Sequence, residues 1–187
     1  MPLTASQKAA LKAAINADPV MSALPNSNDG AYEIAALLNA EAVPAYSVWK
    51  TNASTQDVFD AIDWSKYTPV DAPDGTATYT NRLLAVQTKQ MNLQNMLIGR
   101  ETFNASKANI RAGIRDAVIQ LPAGTGGAMV TAAGANGNNA LNTMTRNARL
   151  VEKILSTGLA TTGGVTAGIM GYEGAISPDD VVAARSA

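Results

Sequence analysis

The sequence predicts an all-α fold: a helical bundle with a long central helix, a glycine-rich loop excursion and an extended C-terminal arm. Three observations carry that prediction. Apolar residues recur at helical spacing through most of the 187 residues, capping signatures precede several of these runs, and turn residues separate them. The expected division is a helical domain over residues 1–157 and an arm over 158–187 that ends in a short helix.

The first helix begins at Thr4-Ala5-Ser6-Gln7, where a hydroxyl cap and a glutamine three residues on can satisfy each other's backbone donors. Leu11, Ala14 and Ile15 follow at i, i+3, i+4, and Asp18-Pro19 disfavours continuation. A second helix starts near Asn28-Asp29 with Ile34, Leu37 and Leu38 inward. The segment "AVPAYSVWKTN" alternates enough to allow a short extended piece. A third helix starts at Ser54 and buries Val58, Phe59 and Ile62, and "YTPVDAPDGT" reads as a loop.

The longest helix is expected over Tyr79 to Phe103. Leu84, Met91 and Ile98 repeat every seven residues, and Leu83, Leu93 and Leu97 broaden the apolar face. The remaining positions are rich in amides, including Gln87, Gln90, Asn92, Gln94 and Asn95, which suit either a solvent-facing stripe or a surface packed on another subunit. Ser106 caps the next helix, with Ile110, Ile114, Val118 and Leu121 stepping along it to Pro122. "PAGTGGAMVTAAGANGNN" contains the glycine-rich excursion, residues 123–138, a mobile loop or hairpin. A last long helix runs from Ala140 to Leu155 with Leu141, Met144, Ala148 and Val151 on one face. "STGLATTGGVTAG" then reads as a tether, and Ser177-Pro178-Asp179-Asp180 opens the terminal helix.

Composition narrows the function. The chain has neither cysteine nor histidine, so disulfides, thiolate nucleophiles and Ser-His-Asp or Cys-His arrangements are impossible. No class of enzyme is indicated and no cofactor is expected. The first residues lack the continuous apolar run of a signal peptide, and no apolar run is long enough to span a membrane. The net charge of −1 is unevenly spread. Residues through Ala77 carry four basic side chains against nine acidic, a net −5; Thr78 to Thr157 carry nine against three, a net +6; the remainder carries −2.

Candidate chemistry is sparse. Asp57, Asp60 and Asp63 cluster carboxylates on one helix side, read as a solvated face in preference to a metal site. "GTGGA" at 124–128 lacks the lysine of a phosphate loop and follows a helix instead of a strand. Two basic stripes stand out: Lys107, Arg111 and Arg115 at i, i+4, i+8, and Arg146, Arg149 and Lys153 at i, i+3, i+7. Each can meet phosphates, in salt-dependent fashion, or an acidic protein surface. The stripes read equally as solubilising faces; of the two contact readings, protein is preferred to phosphate, since no aromatics interleave and no recognition motif is present. An acidic front half and a basic back half would let copies attract head to tail, and such contacts close into rings when the rotation permits.

The stretches "LTASQKAALKAAINADP", "PAYSVWKTN", "KQMNLQNMLIGRETFNASKANIRAGIRDA" and "MGYEGAISPDDVVAAR" resemble small virion-module proteins of tailed bacteriophages and prophages, over most of the chain. The resemblance implies a head-to-tail adaptor (connector): a small helical protein, made in the bacterial host cytoplasm and placed in the virion as a homo-oligomeric ring between portal and tail. Its implied partners are itself, the portal protein and a tail protein, with genomic DNA only as passing cargo and no membrane. Under this reading Met170, Tyr172 and Ile176 anchor the arm on an adjacent subunit or the portal; the alternative is that the tail packs back on its own domain. Alternatives are a tail terminator, a minor capsid or cement protein, and, from another class, a DNA-binding module using the basic stripes.

Overall fold

A computed structural model describes residues 2–64, 77–118, 121–122, 129–130 and 139–187. The elements are α1 (Ala5–Ala17), α2 (Pro19–Ala23), α3 (Asn28–Asn39), β1 (Ser47–Trp49), β2 (Ala53–Ser54), α4 (Thr55–Asp60), α5 (Ala77–Leu97), β3 (Thr102–Phe103) and α6 (Ala108–Val118). They continue with β4 (Leu121–Pro122), β5 (Met129–Val130), a helical turn α7 at residues 139–143, β6 (Thr145–Asn147), α8 (Leu150–Ile154), β7 (Ser156–Thr162), β8 (Val165–Met170) and α9 (Pro178–Arg185).

The fold is mixed α/β, which corrects the all-α expectation. A four-stranded sheet has the order β6-β1-β8-β7, and β2-β3 and β4-β5 form two-stranded pairs. β1 runs parallel to β8 with Val48 opposite Gly168. Two segments account for the error. The expected tether at 156–168 is the β7-β8 hairpin, turned through Gly163 and Gly164 at φ +58° and +92°. Positive φ at both central residues is what a two-residue hairpin of this twist requires, and Gly-Gly supplies it without Cβ strain. The expected helix over 140–155 is broken at "TRN", where Thr145 and Asn147 have modest helix propensity, and these residues form β6. Its apolar positions Leu141, Met144, Ala148, Val151 and Leu155 are all buried, so the helical period tracked burial without tracking conformation.

The chain divides into two compact units. The first comprises Met1–Val48, Asn147–Ala160 and Ala167–Ala187; the second comprises Trp49–Arg146 and Thr161–Thr166. In the first unit Leu11 and Ile15 of α1, Ile34 and Leu38 of α3, Val151 of α8 and Val181 of α9 share one apolar core with Ile176. The extended C-terminal arm is thus replaced by a hairpin strand and a helix, and α9 packs on both α1 and α3. Caps fix the helix starts. Thr4 and Gln7 form the capping box of α1 and Ser177 with Asp180 brackets the start of α9 behind Pro178, as the sequence predicts, while Ser27, not singled out by the sequence, caps α3. Buried Glu152 takes N–H bonds from Arg149 (2.9 Å) and Gly174 (3.1 Å), tying α8 to the loop before α9.

In the second unit α5 packs on α6. Val86, Leu93 and Leu97 are buried on α5, as are Ile114 and Val118 on α6. Ser54 caps α4, and Val58 and Ile62 are buried. β2 and β3 pair antiparallel, Ala53 opposite Phe103. The loop expected at "YTPVDAPDGT" and most of the glycine-rich excursion lie outside the described residues; Leu121–Pro122 and Met129–Val130 pair as two antiparallel strands.

Candidate assembly surface

Helix α5 is apolar on two opposite faces. Val86, Leu93 and Leu97 point into the unit, whereas Leu84, Met91 and Ile98 are 55%, 58% and 74% exposed. At 100° per residue, positions seven apart drift by only about 20°, so these three form a nearly straight outward stripe about 21 Å long. Ile98 continues the helical turn by donating its N–H to the Gln94 carbonyl at 2.7 Å. Gln87, Thr88, Gln94 and Asn95 flank the stripe and are exposed. Apolar residues thus stand outward once per heptad, half the frequency of an a/d helix-packing seam, with amides and a hydroxyl beside them.

The stripe ends in a cleft of 660 Å³ whose walls include Thr55, Phe59, Gln94, Ile98, Arg100 and Glu101. Local structure builds it. Gly99, at φ +70°, turns the chain out of α5, and the Thr55 N–H donates to the Glu101 carbonyl at 3.0 Å, fixing the start of α4 against the approach to β3. Trp64 stacks on Phe59 with ring centroids 5.5 Å apart and donates its indole N–H to the Phe59 carbonyl at 3.0 Å. A smaller cavity of 240 Å³ shares Leu97 and Arg100 as lining. The Thr55 hydroxyl is buried with no hydrogen-bond partner among the described residues.

The sequence-predicted interaction residues fall in different settings. Lys107 is exposed, but Arg111, one helical turn on, is enclosed at 2% exposure. Its guanidinium lies 4.5 Å from the centre of the Trp49 ring and donates to the carbonyls of Ala105 (2.7 Å) and Ser106 (2.7 Å) and to the Thr162 hydroxyl (3.1 Å). Burial pushes its pKa below the ordinary arginine value. Arg115 is half-buried. The second stripe does not share one helix: Arg146 lies in β6, Arg149 stands at the N-cap position of α8 with its backbone in an antiparallel β-bridge to Glu41, and only Lys153 lies within α8. Lys153 donates to the Pro44 carbonyl at 3.2 Å and sits 6.0 Å from the Tyr46 ring.

The residues expected to anchor an arm on a neighbour serve their own unit here. Ile176 is 3% exposed in the core, and its N–H and carbonyl pair with the Asn39 side chain at 2.8 and 2.9 Å. Tyr172 packs against that core and donates to the Ala175 carbonyl at 2.7 Å. Burial first, then the carboxylate of Asp180, raises its phenol pKa. Met170 lies half-buried in β8. Of the three clustered aspartates, Asp57 is 3.8 Å from the Lys50 ammonium and Asp60 accepts from Gln56 at 2.7 Å. Among the described residues no group of three or more acidic side chains is arranged to hold a metal ion, and no helix is long and apolar enough to cross a membrane. "GTGGA" lies outside the described residues.

The sequence exposed the heptad of α5 but not its outward direction, and it held no sign of the cleft. The amides beside the heptad were the available signal, and they suit a solvent-facing stripe as well as a packed surface. No protein-family model matches the chain, and no curated protein or solved structure matches it either.

Proposed function

We propose that this chain is a structural subunit of a tailed-bacteriophage virion, a head-to-tail adaptor that forms a ring between portal and tail. The observation that carries the reading is the outward stripe of Leu84, Met91 and Ile98 on α5, an apolar seam with amide flanks and no covering element among the described residues. Water-exposed apolar residues in register along one helix are stabilised by a second protein surface. The stripe and the cleft at its end lie largely within "KQMNLQNMLIGRETFNASKANIRAGIRDA", a stretch that carries the resemblance to virion-module proteins. The assembly is through helix packing; the C-terminal residues contribute by completing their own unit's core. A DNA-binding reading has less support, because Arg111 is committed to Trp49 and to backbone carbonyls.

Quantitative mass spectrometry of purified virions tests the reading. Roughly a dozen copies per particle is the expected result, the count of one closed ring at a single vertex. Copies in the hundreds would instead indicate a capsid-wide cement protein, and absence from the particle would overturn the virion role.

A further inference from the structure

We propose that the 240 Å³ cavity between α5 and α6 binds a small monocarboxylate, with its alkyl chain inside and its carboxylate on Arg100 at the mouth. This goes beyond the assembly role and does not depend on it. The walls are Met96 and Leu97 of α5, Phe103 of β3, and Ile110 and Ile114 of α6. Leu97, Phe103 and Ile114 are buried and the other two half-buried, and these side chains offer water no good hydrogen-bond partner. An apolar cavity of about 150 Å³ stays dry and admits a benzene ring, and this one is larger. Left empty, such a cavity costs stability; a chain of about six carbons inside it restores the missing contacts.

Asn95 and Arg100, both exposed, complete the lining and mark where the cavity opens. Among the described residues the Arg100 guanidinium has no hydrogen bond and no carboxylate within ion-pairing distance. Glu101, next in sequence, lines the neighbouring cleft and not this cavity. An unpaired guanidinium with a carboxamide beside it, at the rim of an apolar hole, suits a carboxylate, which takes two parallel N–H donors from arginine. An amine head would be repelled there, and a hydroxyl head would leave the fork half matched. One wall can also adjust. Gly113 stands inside α6, where glycine is a poor helix former. A Cβ on it would lie 2.8 Å from Met96 Cε, so the bare Cα is what lets the Met96 tip rest against α6. Met96 therefore closes the cavity with an unbranched, flexible side chain that can turn aside for a ligand.

Titration of sodium hexanoate into the full chain, followed by methyl NMR, tests the site. Saturable shifts are expected at Ile110 and Ile114 and not at Ile15 or Ile34, which belong to the core of the other unit. Hexanol should bind the same place more weakly. Arg100→Gln, at an exposed position, should weaken hexanoate about tenfold and leave hexanol unchanged. Shifts that climb with hexanoate and never saturate would overturn the site. Saturable shifts that spare Ile110 and Ile114 would overturn the cavity as its location. Equal affinity of the parent for hexanol and hexanoate, or an unchanged hexanoate affinity in Arg100→Gln, would overturn the carboxylate as the ligand's head.

Discussion

Arg111 sets the terms at the residue scale. Spacing alone placed it in a surface stripe with Lys107 and Arg115, since i, i+4, i+8 defines a helix face but not the direction in which that face points. What decides the direction is Trp49, distant in sequence, whose ring takes the guanidinium at 4.5 Å while two carbonyls and a hydroxyl take its N–H groups. Replacing Arg111 with methionine keeps volume but leaves the Ala105 and Ser106 carbonyls without that donor. A loss of about 3 kcal/mol of unfolding free energy is expected, from charge-assisted hydrogen bonds and the cation–π contact together. Lys107→Met, at an exposed position one turn away, should stay within about 0.5 kcal/mol of the parent. Urea unfolding of the two variants checks the contrast; equal effects would contradict the enclosed role of Arg111.

At the scale of elements, what was legible was whatever local chemistry determines. The capping box at Thr4, the cap at Ser54 and the Ser-Pro-Asp-Asp start of α9 each depend on neighbours within a few residues, and each is present; the extended piece at "SVW" is present too, held by β8 from far along the chain. The two-stranded pairs were not legible for the opposite reason. β2, β3, β4 and β5 are two residues long, too short for alternation to register, and their existence depends on partners elsewhere in the chain. The β7-β8 hairpin does carry a local signal, Gly-Gly between threonine-rich arms, which the same residues share with a tether. Gly163 offers a measurement of that turn. An added Cβ would meet Arg115 Cδ and Leu141 Cδ1 at 2.9 Å, whatever residue carries it, and φ is +58°. Asparagine tolerates that backbone region better than alanine does, so Gly163→Asn should be less destabilising than Gly163→Ala, the latter by about 1 kcal/mol or more. The reverse order in thermal melts would mean that the turn does not hold a left-handed residue at this position.

Over the whole molecule, the C-terminal segment is where reading by sequence and reading by structure give opposite experimental outcomes. An arm that docks on a neighbour can be removed without harm to the helical body, so a chain ending at Gly168 would keep its circular dichroism. The structure assigns the same residues to the core of the unit that holds α1 and α3. Truncation after Gly168 removes Ile176, Val181 and Ala184 from that core. It also removes the Ile176 backbone groups that pair with the Asn39 side chain, the Gly174 N–H bound to Glu152, and the Lys12 contact to the Ala187 carbonyl. Burial of an isoleucine and a valine alone contributes about 3–6 kcal/mol, comparable with the whole stability of a small domain. The truncated chain should therefore lose far more helical signal than the eight residues of α9 account for, because α1 and α3 lose the surface against which they pack. Far-ultraviolet circular dichroism and a thermal melt of the truncated chain, beside the full one, measure this directly. Retention of the parent helical signal, less only α9, would show that the segment is dispensable to the fold and would return it to the role of an arm.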